Sequence, residues 1–329
     1  WNLDIINPSS FYILFLLIYL TKYITFYIIK YIINVIGVFM KELIKEIRQY
    51  TKLSQTEMAI KMGVTFATIN RWENGHSEPT RLAQEGLYNL CENLNVPVYD
   101  MIIEKIKREV ASINLDEGRV LLYHGSKSGL VGDIKPISRE KCDFGKGFYM
   151  GTTPEQALTL ICDFDESKFY LVSIDIRDLE TIEILESIDW AMTVAYHRGR
   201  MERIKGSNFY NKYASITMGK DLVIGSIAND RMFYVIDNFF LENITDVALV
   251  NSLSTLMLGK QYVAITEKAC NAIKIEKEIP LSFFEKKVLK KESAENRQKG
   301  IELANEICKL HRRDGKFFDE IIEEAIRGD

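Results

Sequence analysis

The 329-residue chain has little cysteine: five residues, at 91, 142, 162, 270 and 308, odd in number and far apart. No CxxC or CxxH pair occurs, which argues against zinc and against a disulfide framework, and a reducing cytoplasm is the expected compartment. No metal ligand set is expected. The chain also lacks any excess of positive charge. Its formal net charge is −4, so no global field draws it to nucleic acid, and DNA binding must come from a local patch. What remains is a globular balance of 47% hydrophobic and 27% charged residues, in a length that predicts two domains.

Residues 1–39 are the one long apolar stretch, running through Phe11 to Leu20 and on past Lys22 and Lys30 to Phe39. The length suffices for a bilayer, which needs roughly 20 apolar residues. Lys22 and Lys30 would sit inside a full span, and Asp4, Asn7 and Pro8 inside a shorter one, with no basic flank to define a signal peptide. The first Met is Met40, at the start of a well-formed domain. Translated upstream sequence or a fragment boundary is therefore expected over a membrane anchor; a membrane partner follows only if the stretch is genuine.

From Met40 the pattern is amphipathic, with Leu43, Ile44 and Ile47 at helical spacing. Ser54 and Glu57 form a capping box ahead of a helix, and Gly63 supplies the turn that ends it. Thr65 caps a second helix whose inward face is Ile69 and Trp72, closed by Glu73-Asn74-Gly75. Leu82, Leu87, Leu90 and Leu94 then read as a core stripe, and Met101 to Val110 as a charged connecting helix.

The string from Ser54-Gln55 to Trp72-Glu73-Asn74-Gly75 resembles the phage-repressor-like (XRE-type) helix-turn-helix regulators. The resemblance implies that the second helix enters the major groove of double-stranded DNA. It places Phe66, Ala67, Asn70 and Arg71 at base edges, with Gln55 and Thr65 near phosphates. Arg71 suits a guanine; Phe66 and Ala67 offer apolar contact to thymine methyls. A bland alternative is a dimerisation or docking unit. Residues 40–110 carry ten basic and ten acidic side chains, so weak monomeric binding with a modest salt slope is expected, and a homodimer is a candidate assembly.

A second pattern begins at Arg119, where an apolar strand ends in His124-Gly125-Ser126. Then come Asp143-Phe-Gly-Lys-Gly147-Phe-Tyr149 and a helix start at Thr153-Pro154. Strand-like runs at 169–176, 222–227 and 261–266 alternate with helical runs at 232–242, 245–257 and 267–270. Short strands mixed with short helices predict an α+β domain over 118–280. Residues 281–329 read as a helical tail broken at Gly315, with mixed charges that predict a solvated face. His197 and His311 read as surface residues. The fold class is thus multidomain: an all-α helix-turn-helix domain (40–110), an α+β domain and a helical tail.

The order His-Gly-Ser, Gly-x-Gly-Phe-Tyr and a late strand opening on Gln261-Tyr262 resembles an uncharacterised bacterial family in the ADP-ribosyltransferase superfamily. The resemblance implies NAD bound in a split between two small sheets. His124 would hold the adenosine ribose, and Gly125 would pair with the carboxamide. Tyr149 would stack on the nicotinamide, with Ser126 and Gly147 lining the site. The catalytic set carried over is His124, Tyr149 and Gln261. Gln261 departs from the usual Glu, whose charge offsets an oxocarbenium-like state; the loss is worth ~3 kcal/mol, or about two orders of magnitude in rate. Asp221, Asp230 and Glu267 are candidate substitutes, and Arg231 either pairs with the pyrophosphate or is an ordinary surface residue. Three functions stay open: a DNA-targeted ADP-ribosyltransferase acting on a protein, nucleic-acid or small-molecule target; a non-catalytic transcription regulator that senses NAD or a related nucleotide; and a membrane-tethered regulator.

Overall fold

The computed structural model describes residues 40–227, 230–256 and 259–328, with the side chains of 230–233, 253, 256 and 328 omitted. The apolar stretch 1–39 lies outside them. The described residues form two compact units: those up to Ile102 with Ser282–Phe284, and Ile103–Leu281 with Glu285 onward. No described helix is long and apolar enough to cross a membrane.

The first unit is helical. Helix α1 (residues 40–50) buries Met40, Leu43, Ile44 and Ile47, the stripe that its 3.6-residue period aligns. Helix α2 (Gln55–Met62) opens on the expected capping box: the Glu57 N–H donates to Ser54 Oγ at 3.1 Å, and the Ser54 N–H to Glu57 Oε2 at 2.8 Å. It stops at Gly63, whose φ of 65° is left-handed and costs a glycine little. Helix α3 (Phe66–Glu73) starts under the Thr65 hydroxyl and buries Ile69 and Trp72. Helix α4 (Arg81–Asn93) buries Leu87, Leu90 and Cys91.

Two members of the expected stripe fail: Leu82 is 82% exposed and Leu94 37%. Leu82 lies five residues before Leu87, about 140° round the helix, so it cannot share that face. Helix α5 (Val98–Ala111) is more than a charged connection, because Ile102, Ile103 and Ile106 are buried.

The second unit is built on one seven-stranded mixed sheet, ordered β4-β5-β6-β2-β1-β3-β7. The strands are β1 (Arg119–Ser126), β2 (Phe148–Gly151), β3 (Lys168–Asp175), β4 (Thr181–Ile184), β5 (Leu222–Ser226), β6 (Lys260–Ala264) and β7 (Ile273–Ile279). All neighbouring pairs are antiparallel except β4 and β5. Strand β1 pairs with β3 along its whole length, from Arg119↔Asp175 to Ser126↔Lys168. Against β2 it makes a single pair, Tyr123↔Gly151. Two halves, β4-β5-β6-β2 and β1-β3-β7, therefore meet at a seam, within one sheet where two separate sheets were expected.

Opposite faces of the sheet bury different clusters, as period-2 alternation requires. Leu122, Phe148, Met150, Tyr170, Val172 and Leu222 lie in one cluster, which spans the seam. Val223 and Val263 lie in the other, with Tyr149 packed against it and with residues of α7 (Ile188–His197), α9 (Asp230–Phe240), α10 (Asp246–Leu256) and α13 (Phe318–Gly328). Helix α6 (Pro154–Ile161) has Pro154 in its first turn, but the Thr153 side chain makes no capping bond. Helices α8 (Asn208–Ser215), α11 (Glu267–Asn271) and the long α12 (Phe283–Leu310) complete the unit. Within it, Lys105 on α5 and Glu285 on α12 form a buried ion pair at 2.6 Å.

Candidate functional site

In the first unit, α3 presents a mixed face. Thr65, Phe66, Ala67 and Arg71 are exposed, Phe66 at 52%, and Asn70 is half-buried. The helix is held by a feature that local sequence reading missed. Arg48 on α1 clamps Glu73 at the end of α3, Nε to Oε1 at 2.5 Å and Nη2 to Oε2 at 3.0 Å. Glu73 is 4% exposed and the paired guanidinium is held protonated, its pKa raised by this bond. Gln55 also donates to Glu73, at 2.7 Å, and its Oε1 receives the Asn70 amide at 3.4 Å. Gln55, expected near phosphates, is thus turned inward, and Asn70 leans towards it.

In the second unit, His124, Gly125 and Ser126 each have a packing role. The His124 ring stacks on Phe148 with centroids 4.2 Å apart, and its Nδ1 lies 2.8 Å from the Tyr149 carbonyl. Burial lowers the His124 pKa, so the ring is neutral. Facing a carbonyl, Nδ1 must carry the proton, which leaves Nε2 as an acceptor. Gly125 is required by helix packing, since a Cβ there would lie 2.5 Å from the Ala157 carbonyl of α6. It also sits where β1 has no rung to β2. The Ser126 hydroxyl donates to the Gly129 carbonyl at 2.8 Å and closes a turn. At Gly147, a Cβ would meet Val263 Cγ1 at 2.5 Å, so the glycine serves the approach of β2 to β6.

Tyr149 follows Phe148, so its ring points to the face opposite His124. Its hydroxyl donates to the Gly145 carbonyl at 2.8 Å and accepts from the Phe144 N–H at 3.1 Å. Burial, with Asp143 close by, pushes its pKa up. The structure therefore brings His124 to the Tyr149 backbone but separates the two rings.

Gln261 pairs with Gly151 and is 4% exposed. Its Nε2 donates to Asp143 Oδ2 at 3.1 Å and to the Ser226 carbonyl at 2.9 Å. Asp143 is itself gripped by Arg198, Nη2 to Oδ1 at 2.6 Å. Ser226 donates through its hydroxyl to Glu186, the carboxylate that comes next to this network from the solvent side. Asp221 lies at the other end of β5, bonded by Lys268 at 2.9 Å and Thr266 at 2.8 Å, which hold its carboxyl below the usual range. It is structural, and Glu267, on the same α11 start, is exposed. The side chains of Asp230 and Arg231 lie outside the described residues.

His197 is not a surface residue. It is half-buried against Gly145, its Nε2 has no hydrogen-bond partner among the described residues, and burial lowers its pKa to about 4. His311 keeps its surface setting beside Asp314 at 3.1 Å.

Residues 44–99 match the family model described as helix-turn-helix. Residues 120–275 match the family described as protein of unknown function (DUF3990). No curated protein and no solved structure matches the chain. The first match, on the helix pair whose capping and turn are described above, makes the chain a DNA-binding regulator acting on double-stranded DNA.

Proposed function

We propose that the DNA-binding regulator senses NAD or a related dinucleotide through its second unit, at the seam between β1 and β2, without transferring ADP-ribose. The carrying observation is Gln261. Its amide ties Asp143 to the end of β5, so the position where the resemblance calls for a free carboxylate holds a structural cross-link. A neutral group with both N–H bonds engaged cannot offset positive charge on a ribose or act as a base.

Binding is supported by His124 and Gly125. The acceptor nitrogen of His124 suits a ribose hydroxyl, and Gly125 lies where the strands part, its backbone unladdered towards β2. Tyr149 fits this reading only as a wall, since its ring turns to the other face. When bound, NAD would supply a cleavable bond from nicotinamide to ribose; the chain's own residues orient the dinucleotide.

Calorimetric titration of the full chain with NAD and with ADP-ribose tests the reading, alongside assay of free nicotinamide after prolonged incubation with cell extract. Saturable heat without nicotinamide is expected. Nicotinamide release would make the protein a transferase or hydrolase, and absence of heat with both ligands would remove the dinucleotide altogether.

A further inference from the structure

The leading turn of α3 is apolar where it is most exposed. Phe66 and Ala67 stand side by side in solvent, while the polar groups around them are engaged within the unit. Thr65 and Thr68 share a hydroxyl–hydroxyl bond at 2.9 Å, and the Thr65 hydroxyl also accepts the Thr68 N–H at 3.2 Å. Gln55 is bonded to Glu73 at 2.7 Å and faces the Asn70 amide. Arg71, one turn further on, is exposed and has no hydrogen bond or ion pair among the described residues. With equal numbers of basic and acidic side chains over 40–110, phosphate attraction contributes little, and contacts to bases carry more of the affinity.

We propose that Phe66 and Ala67 recognise the C5-methyl group of a pyrimidine in the major groove, with Arg71 as the hydrogen-bonding reader beside them. The proposal rests on the DNA-binding reading and names its specificity. Thymine's C5-methyl is the apolar feature that a base edge presents in the major groove, and 5-methylcytosine carries the same group in modified DNA. A phenyl ring paired with a small methyl side chain forms an apolar step against which such a methyl loses water. Phe66 is the reader and Ala67 gives clearance for the groove floor; neither can discriminate by hydrogen bonds.

The test begins by selecting a preferred site for the full chain from random duplexes, in one pool with ordinary cytosine and one with 5-methylcytosine. Enrichment in both assigns thymine as the source of the methyl; enrichment confined to the methylated pool assigns 5-methylcytosine. The selected site is then resynthesised with the methyl removed, uracil for thymine or cytosine for 5-methylcytosine, one position at a time. Removal at the α3 position is expected to weaken binding about fourfold for each methyl lost from contact. Phe66→Ala should erase that difference and Phe66→Leu should keep part of it, with unchanged melting because the ring is exposed.

Equal affinity with and without the methyl at every position of an enriched site would overturn the proposal and leave DNA binding intact. So would a methyl effect that survives Phe66→Ala. A chain that enriches no sequence from either pool would overturn both.

Discussion

Replacing Gln261 by glutamate separates a structural amide from a missing catalytic acid, because the two roles predict opposite results. In the native protein the amide hydrogens reach Asp143 at 3.1 Å and the Ser226 carbonyl at 2.9 Å. A carboxylate has no hydrogen to offer either. Two bonds worth about 1 kcal/mol each are lost, and a second negative charge arrives beside Asp143. At 3.1 Å and an effective dielectric of about 20 that repulsion is roughly 5 kcal/mol, reduced because Arg198 already binds Asp143. The new glutamate limits the cost by staying protonated, at about 1.4 kcal/mol for each pH unit that its folded pKa rises above the unfolded value.

Gln261→Glu should therefore destabilise the second unit by roughly 2–4 kcal/mol near neutral pH. The sign with pH follows. The folded pKa is raised, so the penalty is absent below the ordinary carboxylate pKa of about 4. It grows as pH climbs to the folded value, and is constant above it. Gln261→Leu should lose the same bonds with no such pH dependence. Differential scanning calorimetry of both variants between about pH 4 and pH 8 reads the difference. A glutamate variant as stable as the parent across that range, or one that gains nicotinamide release, would refute the cross-link.

Arg48→Ala leaves Glu73 buried without its cation, and should lower the stability of the first unit by about 3 kcal/mol, seen as a drop of more than ~10 °C in its melting transition. Gly125→Ala should cost about 1–3 kcal/mol in urea unfolding, because the methyl meets the Ala157 carbonyl and α6 must shift. His197 has a folded pKa of about 4 against an ordinary 6.5. The stability tied to its neutral form is complete above about pH 6.5 and is lost as pH falls towards 4. His197→Leu should flatten that acid limb of the stability curve, and an unchanged limb would remove His197 from the account.

Much of the first unit was legible because its signals are local. The Ser54–Glu57 capping box and the Gly63 turn lie within a few residues of one another, and Ile69 and Trp72 repeat at helical spacing. In the second unit β1, β3, β5 and β6 could be read from apolar runs. Helix α7 escaped because Trp190 to Ala195 are all buried, so no polar face marks a helical period. Strand β7 alternates Ile with Lys and Glu over Ile273–Ile279, an edge pattern in which charge masks the strand signal. The clamp of Arg48 on Glu73 spans 25 residues, and the bond from Gln261 to Asp143 spans 118. No local pattern encodes such partners. His124 and Tyr149 were correctly seen as near neighbours, but which face each ring takes depends on strand alternation, and that set them apart.

The lone rung between Tyr123 and Gly151 has a mechanical consequence. Elsewhere in the sheet, prising two strands apart means breaking a ladder of main-chain hydrogen bonds. Here it means breaking one pair and sliding apolar side chains, Leu122 past Phe148 and Met150, over one another. Wedging is resisted by oily contact that yields by degrees, where a ladder gives way all at once. The sheet is thus stiff along each half and compliant across the middle, so a guest lodged at the join can alter the angle between halves without unfolding either.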